Sequence, residues 1–401
     1  MRRGVGGKPD PIEYKEKKEK LSELKQLEDE GKIDFRTYAL TKYPNSALIN
    51  NCRLLSKYGT MRKITKPSTA QCNADLYTLF LLSEPKLGGC SRLSEILGDV
   101  SHDSINRFLL RERYEPKDLF SQIEKIINLT GGILSVDDTV IEKIYSDPKN
   151  AELISYFWSG KAHKTIIGLN LITLYYSDVN GNSVPINYRI YDKKEGKTKN
   201  NYFREMVSEI INWGVKPKIV TGDSWYSGVE NLKFLKNQKL GFLFGIEKNR
   251  TVSNEPHNYC QVSTLVIPES GLRTHLKEFG FIKLFRKSFK EEASRHYILY
   301  LPDESKIQEI TRDEFLTIHD THWEIETFHR AIKQVCGICR FMVRNTSAIK
   351  THIFCSLQAF VKLELMRSEK IISNWYEVQR NLFTSVIREH ILANRFSHGI
   401  V

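Results

Sequence analysis

The amino-acid sequence predicts an α/β fold that has a helical region before it and a β-rich insertion within it. Three stretches of the chain carry this prediction. Residues 67–130 show helical hydrophobic spacing, residues 131–246 pass from strand-like segments to alternating helices and strands, and residues 247–310 return to strand-like segments. Residues 1–66 are polar and Lys-rich, which predicts a basic arm that is either a marginal surface helix or a solvated segment.

The helical region contains a candidate DNA-reading motif. A helix predicted from Cys90 to Gly98 is followed by a break and then by a second helix, for which Ser101 serves as N-cap. This pattern resembles a helix-turn-helix. Asn106 and Arg107 would then face outward near the start of the second helix, where base edges are read. The alternative is a helical hairpin that only packs against the rest of the protein.

Residues 131–246 follow the order β-β-β-α-β-α-β. The predicted elements are strands Ile133 to Val140, Thr165 to Tyr176 and Ser183 to Tyr191, helix Asn201 to Trp213, strand Pro217 to Thr221, helix Val229 to Asn237 and strand Gly241 to Ile246. A hairpin turn at Asp178 to Asn182 joins the second and third strands. A meander of three strands followed by alternating helices and strands is the RNase H-like arrangement, which places the first strand beside the fourth.

The rest of the chain supplies the insertion and the last helices. The insertion, residues 247–310, contains the strand-like segments Tyr259 to Ile267, Phe281 to Phe289 and His296 to Leu301. A helix from about Thr321 to Val335 then returns to the α/β core, which resumes over residues 311–360. Amphipathic helices over Ala348 to Ser368 and Ser373 to Asn394 are predicted to finish the chain, so that residues 361–401 form a C-terminal helical part.

Charge favours nucleic acid as the partner. The chain carries a net charge of +12 and has a sequence pI near 9.2, which raises affinity for any polyanion. An anionic membrane is the second possibility, and a merely solvated basic surface is the third. No export signal and no apolar run long enough to span a bilayer are visible, so the expected setting is the cytoplasm, with no membrane partner.

The first candidate acid lies in the first predicted core strand. Strand alternation puts Ser135, Asp137 and Thr139 on one face and the neighbouring Asp138 on the other. The polar face is the better candidate for a metal site. Asp137 is therefore the predicted site residue, and Asp138 remains the alternative.

The second candidate acid, Asp223, follows the strand Pro217 to Thr221. Gly222 allows close backbone approach, and ligands bind at the carboxyl ends of strands in α/β sheets. The alternative is a turn aspartate that caps the next helix. Trp225, two residues later, is predicted either to stack on a base or to pack in the core.

The third candidate acid lies on the predicted helix of the resumed core. Glu326 shares a helical face with His329, Arg330 and Lys333, which would place a metal-binding carboxylate beside groups that grip phosphate oxygens. Glu324 lies on a more apolar stripe of the same helix. The competing interpretation of Glu326 is an ordinary exposed ion pair with Arg330.

Carboxylates from two strands and one helix, in a basic chain, predict a site that holds divalent metal against phosphate. Three such groups can bring two Mg²⁺ ions to about 4 Å apart for in-line phosphoryl transfer. Mg²⁺ is expected because it prefers hard oxygen ligands and keeps water positions open for substrate, and Mn²⁺ is the alternative.

Over residues 68–360 the chain resembles the DDE transposases of bacterial insertion sequences, in the cut-and-paste group with a β-rich insertion. Val136-Asp137-Asp138-Thr139 matches the family's D-x-[ST] strand, and Thr221-Gly222-Asp223 precedes an aromatic residue. Glu326 followed by Lys333 matches the E-x6-K half of the signature Y-x2-R-x3-E-x6-K. The other half departs from it, because His319 and His322 stand at the Tyr and Arg positions. If those positions hold DNA phosphate, these histidines would do so more weakly and with pH dependence near neutrality.

The resemblance implies an enzyme that uses Asp137, Asp223 and Glu326 as catalytic and metal-binding residues. It further implies binding to terminal inverted repeats and target DNA, pairing of ends by a homodimer, hydrolytic nicking and attack by a 3′-hydroxyl in the bacterial nucleoid. In that case the insertion would hold a hairpinned or flipped nucleotide. Two alternatives stay open: an RNase H-like nuclease without strand transfer, and a DNA-binding protein whose catalysis has decayed.

Overall fold

The computed structural model describes residues 71–381, except 161, 256–257 and 290–293, together with residues 384 and 388. The chain divides into two compact units, one formed by residues 1–57 and 377–401 and the other by residues 58–376. Nearly all described residues belong to the second unit, which contains every element named below. The predicted basic arm and most of the predicted helix Ser373 to Asn394 lie outside the described residues.

Four short helices precede the sheet: α1 Ala74–Ser83, α2 Cys90–Leu97, α3 His102–Arg111 and α4 Pro116–Ile123. The predicted pair α2 and α3 is confirmed. Gly98 ends α2 with φ +77°, and the Ser101 hydroxyl caps α3 by accepting a 3.1 Å hydrogen bond from the backbone N–H of Ser104. Asn106 and Arg107 are exposed on α3.

The core sheet has the predicted RNase H-like order. Its strands are β1 Ile133–Glu142, β2 Ser155–Ser159, β3 Lys164–Ser177, β4 Ser183–Ile190, β5 Ile219–Gly222 and β6 Gly241–Ile246. Strand β1 pairs antiparallel with β3 and parallel with β5, so the first and fourth predicted strands are neighbours, as expected. Helices α5 Lys199–Asn212 and α6 Val229–Asn237 connect β4 to β5 and β5 to β6. The short β2, which the sequence did not predict, pairs with the start of β3.

The β-rich insertion extends the core sheet. It contains β7 Thr251–Glu255, β8 Asn258–Gln261, β9 Leu272–Leu276, β10 Gly280–Ser288 and β11 Ser294–Tyr300. Strand β11 pairs antiparallel with β6, which gives the described residues a continuous 11-stranded sheet. The predicted strand Tyr259 to Ile267 is wrong beyond Gln261, because a 3-10 turn follows at Val262–Thr264.

Two long helices complete the unit: α7 Arg312–Gln334 and α8 Thr346–Ser368. Helix α7 begins earlier than the predicted Thr321, at a capping box formed by Thr311 and Glu314. Helix α8 is buried on nearly every side and packs against α1, α3, α4 and β4. Within the described part of the chain, no helix has both the length and the hydropathy needed to cross a bilayer.

Candidate active site

The register of two parallel strands brings the predicted aspartates together. Val136 of β1 and Gly222 of β5 are register partners; Asp137 is the next residue within β1, and Asp223 is the first residue after β5. Adjacent strands lie about 4.8 Å apart, so the two acids are neighbours across the β1–β5 pair. A Cβ on Gly222 would lie 2.6 Å from the Phe244 ring and 2.8 Å from the Val136 side chain, which explains why glycine stands before Asp223.

The polar face of β1 lies against helix α7. Oδ2 of Asp137 lies 3.4 Å from Nδ1 of the buried His329. Two residues further along β1, the hydroxyl of Thr139 accepts a 2.6 Å hydrogen bond from Nζ of Lys333. Nε2 of His329 is buried and has no hydrogen-bond partner among the described residues. Two of the predicted helix residues therefore contact the strand that carries the first acid.

Asp138 has a different environment on the opposite face of β1. Its carboxylate accepts hydrogen bonds from Nδ2 of Asn170 at 2.6 Å, Nζ of Lys199 at 2.7 Å and the hydroxyl of Tyr226 at 3.2 Å. These partners tie β1 to β3, to α5 and to the turn after Asp223. The geometry thus gives Asp138 a structural set of contacts and leaves Asp137 as the acid on the α7 face.

The two glutamates of α7 also separate. Glu324 accepts hydrogen bonds from the hydroxyls of Ser177, at 3.0 Å, and Ser183, which flank the β3–β4 hairpin. Glu326 instead lines a cleft together with Asp223. Glu324 therefore anchors the helix to the hairpin, and Glu326 faces the space where substrate would lie.

The cleft has a volume of about 610 Å³ and lies between α7, the end of β5 and the insertion strands β10 and β11. His319 and His322 line it, as does the half-exposed Trp323. Lys287 and Arg295, from the insertion, also line the cleft and were not predicted. The only sequence signal for them was the presence of cations in or beside the predicted strands of the insertion.

Three acids share the negative potential of this region. Asp223 is exposed at the mouth of the cleft, yet the surrounding protein and the charges of Asp137 and Asp138 raise its pKa to about 7. Burial and the charge of Asp137 likewise raise the pKa of Glu326. Burial opposes ionisation of Asp137 too, but the hydrogen bond and the positive charge of His329 outweigh it and lower the pKa of Asp137.

This donor set fits a divalent metal in its chemistry. Carboxylate oxygens are the ligands that Mg²⁺ prefers, and a bound cation would relieve the repulsion that raises the pKa values of Asp223 and Glu326. The carboxylates have local partners here, since Asp223 accepts a 3.0 Å bond from the N–H of Trp225 and Asp137 contacts His329. No group of three or more His, Cys, Asp or Glu side chains converges on a metal position within the described residues.

The pKa values of His319 and His322 are both lowered, which favours the neutral forms of the two side chains near pH 7. Burial, chiefly, lowers the pKa of His322 to about 4, and its Nδ1 lies 3.0 Å from the hydroxyl of Thr221. Burial also lowers the pKa of His319, whose Nε2 lies 3.1 Å from the Tyr297 hydroxyl. The sequence did not reveal this burial because it arises where α7 packs against β5 and β11.

The remaining predicted DNA-contacting residues take three positions. Arg330 is exposed on α7. Trp225 has 63% of its surface exposed beside Asp223, with Nζ of Lys199 5.6 Å from its ring centroid. Arg107 forms an ion pair with Asp103 on α3, and neither it nor Asn106 lines the cleft.

The sheet order, with β1 between β3 and β5 and with acids on β1, after β5 and on helix α7, is the RNase H-like arrangement. The particular family follows from the sequence match. This chain belongs to the transposase DDE domain family, which matches residues 130–360. It is therefore a DDE-type transposase, an enzyme of DNA transposition whose chemistry depends on divalent metal.

Two solved structures are similar to the chain at low identity. One is the cryo-EM synaptic complex of piggyBac transposase with hairpin DNA, at 13% identity and a TM-score of 0.48, covering 89% of this chain and 83% of that one. The other is the Drosophila P element transposase strand transfer complex, at 8% identity and a TM-score of 0.19, covering 82% of this chain and 88% of that one. Among proteins of curated function, no sequence matches.

Proposed function

We propose that this transposase cuts and joins DNA ends with Mg²⁺ held by Asp137, Asp223 and Glu326, Mn²⁺ being the alternative ion. The observation that supports the assignment is the Val136–Gly222 register, which places the two aspartates side by side at the β1–β5 pair. The charge of Asp137 acts on both Asp223 and Glu326, which supports a shared site. When bound, the metal activates the attacking oxygen and stabilises the departing one.

The residues of the chain prepare the site for that chemistry. His329 keeps Asp137 ionised, so this carboxylate is available as a ligand below neutral pH. Asp223 must give up the proton that its raised pKa favours before it can bind a cation. Lys287 and Arg295 of the cleft, and Arg330, whose charge acts on Glu326, supply positive charge that offsets the negative charge of the phosphoryl group in the transition state.

The proposed substrates are the terminal inverted repeats and a target duplex. The exposed Asn106 and Arg107 on α3, the second helix of the proposed helix-turn-helix, support end recognition. Trp225 supports stacking on a base near the reacting phosphate. A homodimer that pairs two ends in the bacterial cytoplasm, where the nucleoid supplies both DNAs, completes the proposal.

A cleavage assay tests the proposal. The substrate is a labelled duplex with the DNA ends that flank the gene, incubated with Mg²⁺ or EDTA and with wild type, Glu326→Gln or Glu324→Gln. We expect end cleavage that is lost with EDTA and with Glu326→Gln. Glu324→Gln is the matched control on the same helix, because it changes the hairpin contacts and keeps the cleft acid.

Two other outcomes point to the alternatives. Cleavage with no joined product, even with target DNA supplied, would make the protein a nuclease without strand transfer. Specific end binding with no cleavage under any divalent ion would make it a DNA-binding protein that has lost catalysis. Mass measurement of the complex with one end and with two ends would test the homodimer.

A further inference from the structure

A chain of hydrogen bonds, buried at Ser135 and Thr221, links β1, β5 and α7 next to the acids. Ser135 of β1 and Thr221 of β5 are register partners, and their hydroxyl oxygens lie 3.0 Å apart. The Thr221 hydroxyl oxygen also lies 3.0 Å from Nδ1 of His322 on α7. Ser135 and Thr221 are at most 1% exposed. The Thr221 hydroxyl can donate to one neighbour while it accepts from the other, so the chain forms with either neutral tautomer of His322.

Each residue of this hydrogen-bonded chain precedes one acid of the proposed site, by two residues at the strands and by four residues on the helix. Asp137 comes two residues after Ser135, on the same strand face. Asp223 comes two residues after Thr221 and keeps an extended backbone, with φ −74° and ψ −178°. Glu326 comes four residues after His322, one helical turn along the same face of α7. Ser135, Thr221 and His322 therefore each lie next to one of the three acids on the same strand or helix.

We propose that Ser135, Thr221 and His322 are positioning residues that hold the two strands and helix α7 in the relative placement from which the three acids can take up a metal ion. Backbone hydrogen bonds already join β1 to β5. Helix α7 has no such backbone ladder to the sheet, and side-chain contacts hold it there, among them Lys333 with Thr139 and Glu324 with the β3–β4 hairpin. The hydrogen bond between Thr221 and His322 adds a directional link at β5, next to Asp223, that does not involve the acids themselves. This inference rests on the proposed assignment of those acids.

Substitution of Thr221 tests the inference. Thr221→Val keeps the shape and removes the hydroxyl that serves both neighbours, whereas Thr221→Ser keeps the hydroxyl. We expect Thr221→Val to lower the cleavage rate constant by about 10²-fold, since small misplacements of catalytic groups have effects of this size. DNA affinity should stay within about twofold, and Thr221→Ser should restore most of the rate.

Thr173→Val is the matched control. Thr173 is a buried residue of β3 and the register partner of Asp137, so it lies at the same depth in the same sheet. Its hydroxyl has no hydrogen-bond partner among the described residues, and therefore removing it breaks no bond there. Cleavage by Thr173→Val should match the wild type.

Metal binding to the DNA-free protein gives a second readout that does not depend on turnover. Calorimetric titration with Mn²⁺ should show an affinity about tenfold weaker in Thr221→Val than in wild type and unchanged in Thr173→Val, because groups behind metal ligands typically change affinity by 10–100-fold. Thermal unfolding checks that each variant is folded. If Thr221→Val does not fold, Ser135→Ala, which removes one bond of the chain, takes its place with the same expectations.

The outcomes separate the inference from the proposed function. Equal cleavage rates and Mn²⁺ affinities for Thr221→Val and Thr173→Val would overturn the positioning role, as would a Thr221→Ser variant as impaired as Thr221→Val. A wild type that binds no Mn²⁺ and does not cleave would overturn the proposed function, and the positioning role with it. Loss of rate and of Mn²⁺ affinity in Thr221→Val, with recovery in Thr221→Ser, supports both.

Discussion

Nδ1 of His329 lies 3.4 Å from Oδ2 of Asp137, and His329 follows Glu326 by three residues on the same helix. One turn of α7 therefore carries two groups with different roles: Glu326 lines the cleft, and His329 contacts Asp137 of β1. Through this Glu-x-x-His spacing, the helix that carries Glu326 also contacts the strand acid. In the proposed site, this contact favours the ionised form of Asp137 despite its burial.

Removing the His329 imidazole is expected to raise the pKa of Asp137. In His329→Ala, burial would act without the hydrogen bond and positive charge of His329 that now oppose it. The acid limb of metal-dependent cleavage should therefore move to higher pH, and Mn²⁺ affinity near pH 6 should fall about tenfold. Rate–pH profiles for wild type, His329→Ala and His329→Asn, which keeps a donor near the Nδ1 position, would check this. Superimposable profiles would show that His329 has no effect on Asp137.

The neighbouring aspartates of β1 should differ in what they contribute. Asp138→Asn loses charge-assisted hydrogen bonds with Lys199, Asn170 and Tyr226, and we expect it to lower the free energy of unfolding by about 2 kcal/mol. Asp137→Asn removes a proposed metal ligand, so it should abolish cleavage. It should cost little stability, because it also removes a charge that repels Asp223 and Glu326. Urea unfolding and end cleavage, measured on both variants, decide the matter. A destabilised Asp137→Asn beside a stable, inactive Asp138→Asn would reverse the two roles.

The local sequence predicted much of this site. Strand alternation separated Asp137 from Asp138, and helical spacing separated Glu326 from Glu324, because both periodicities act over a few residues. These features depend on the chain within one element or on its immediate neighbour, so a single sequence reveals them.

Other features depend on contacts between distant segments and were not predicted. Strand β11 pairs with β6 across the whole insertion, which turns the insertion into a continuation of the sheet and brings Lys287 and Arg295 to the cleft. The burial of His319 and His322 arises from the packing of α7 on that extended sheet. Neither contact leaves a periodic signal in the sequence, because hydrophobic periodicity indicates the type of secondary structure and does not show which elements pack together.

The free energy of unfolding of the metal-free protein should fall as pH rises from about 4 to about 7, the range between the unfolded and folded pKa values of Asp223. Its carboxyl has a pKa of about 7 in the folded protein and about 3.9 in an unfolded chain. The folded state therefore binds more protons between these values, and the stability present below about pH 4 is lost as pH approaches 7. The raised pKa of Glu326 acts in the same direction.

Urea unfolding in EDTA at pH 5, 6, 7 and 8 measures this dependence. Asp223→Asn should flatten the decline, because the substituted side chain does not titrate. Mn²⁺ should stabilise the wild type more at pH 8 than at pH 6, since the ion competes with the proton for the carboxylate. Parallel pH dependences for wild type and Asp223→Asn, with no effect of Mn²⁺, would place the titrating group elsewhere.

The salt dependence of DNA binding should distinguish neutral from charged residues around the cleft. A side chain that neutralises one phosphate contributes about 0.9 to the slope of log affinity against log salt concentration. Burial keeps His322 neutral at pH 7, so His322→Gln should leave the slope of end binding unchanged. Arg330→Gln should reduce the slope by about 1, because Arg330 is exposed on the same helix and carries a full charge. Fluorescence anisotropy at four salt concentrations is sufficient, and a reduced slope in His322→Gln would show that this histidine is charged when DNA is bound.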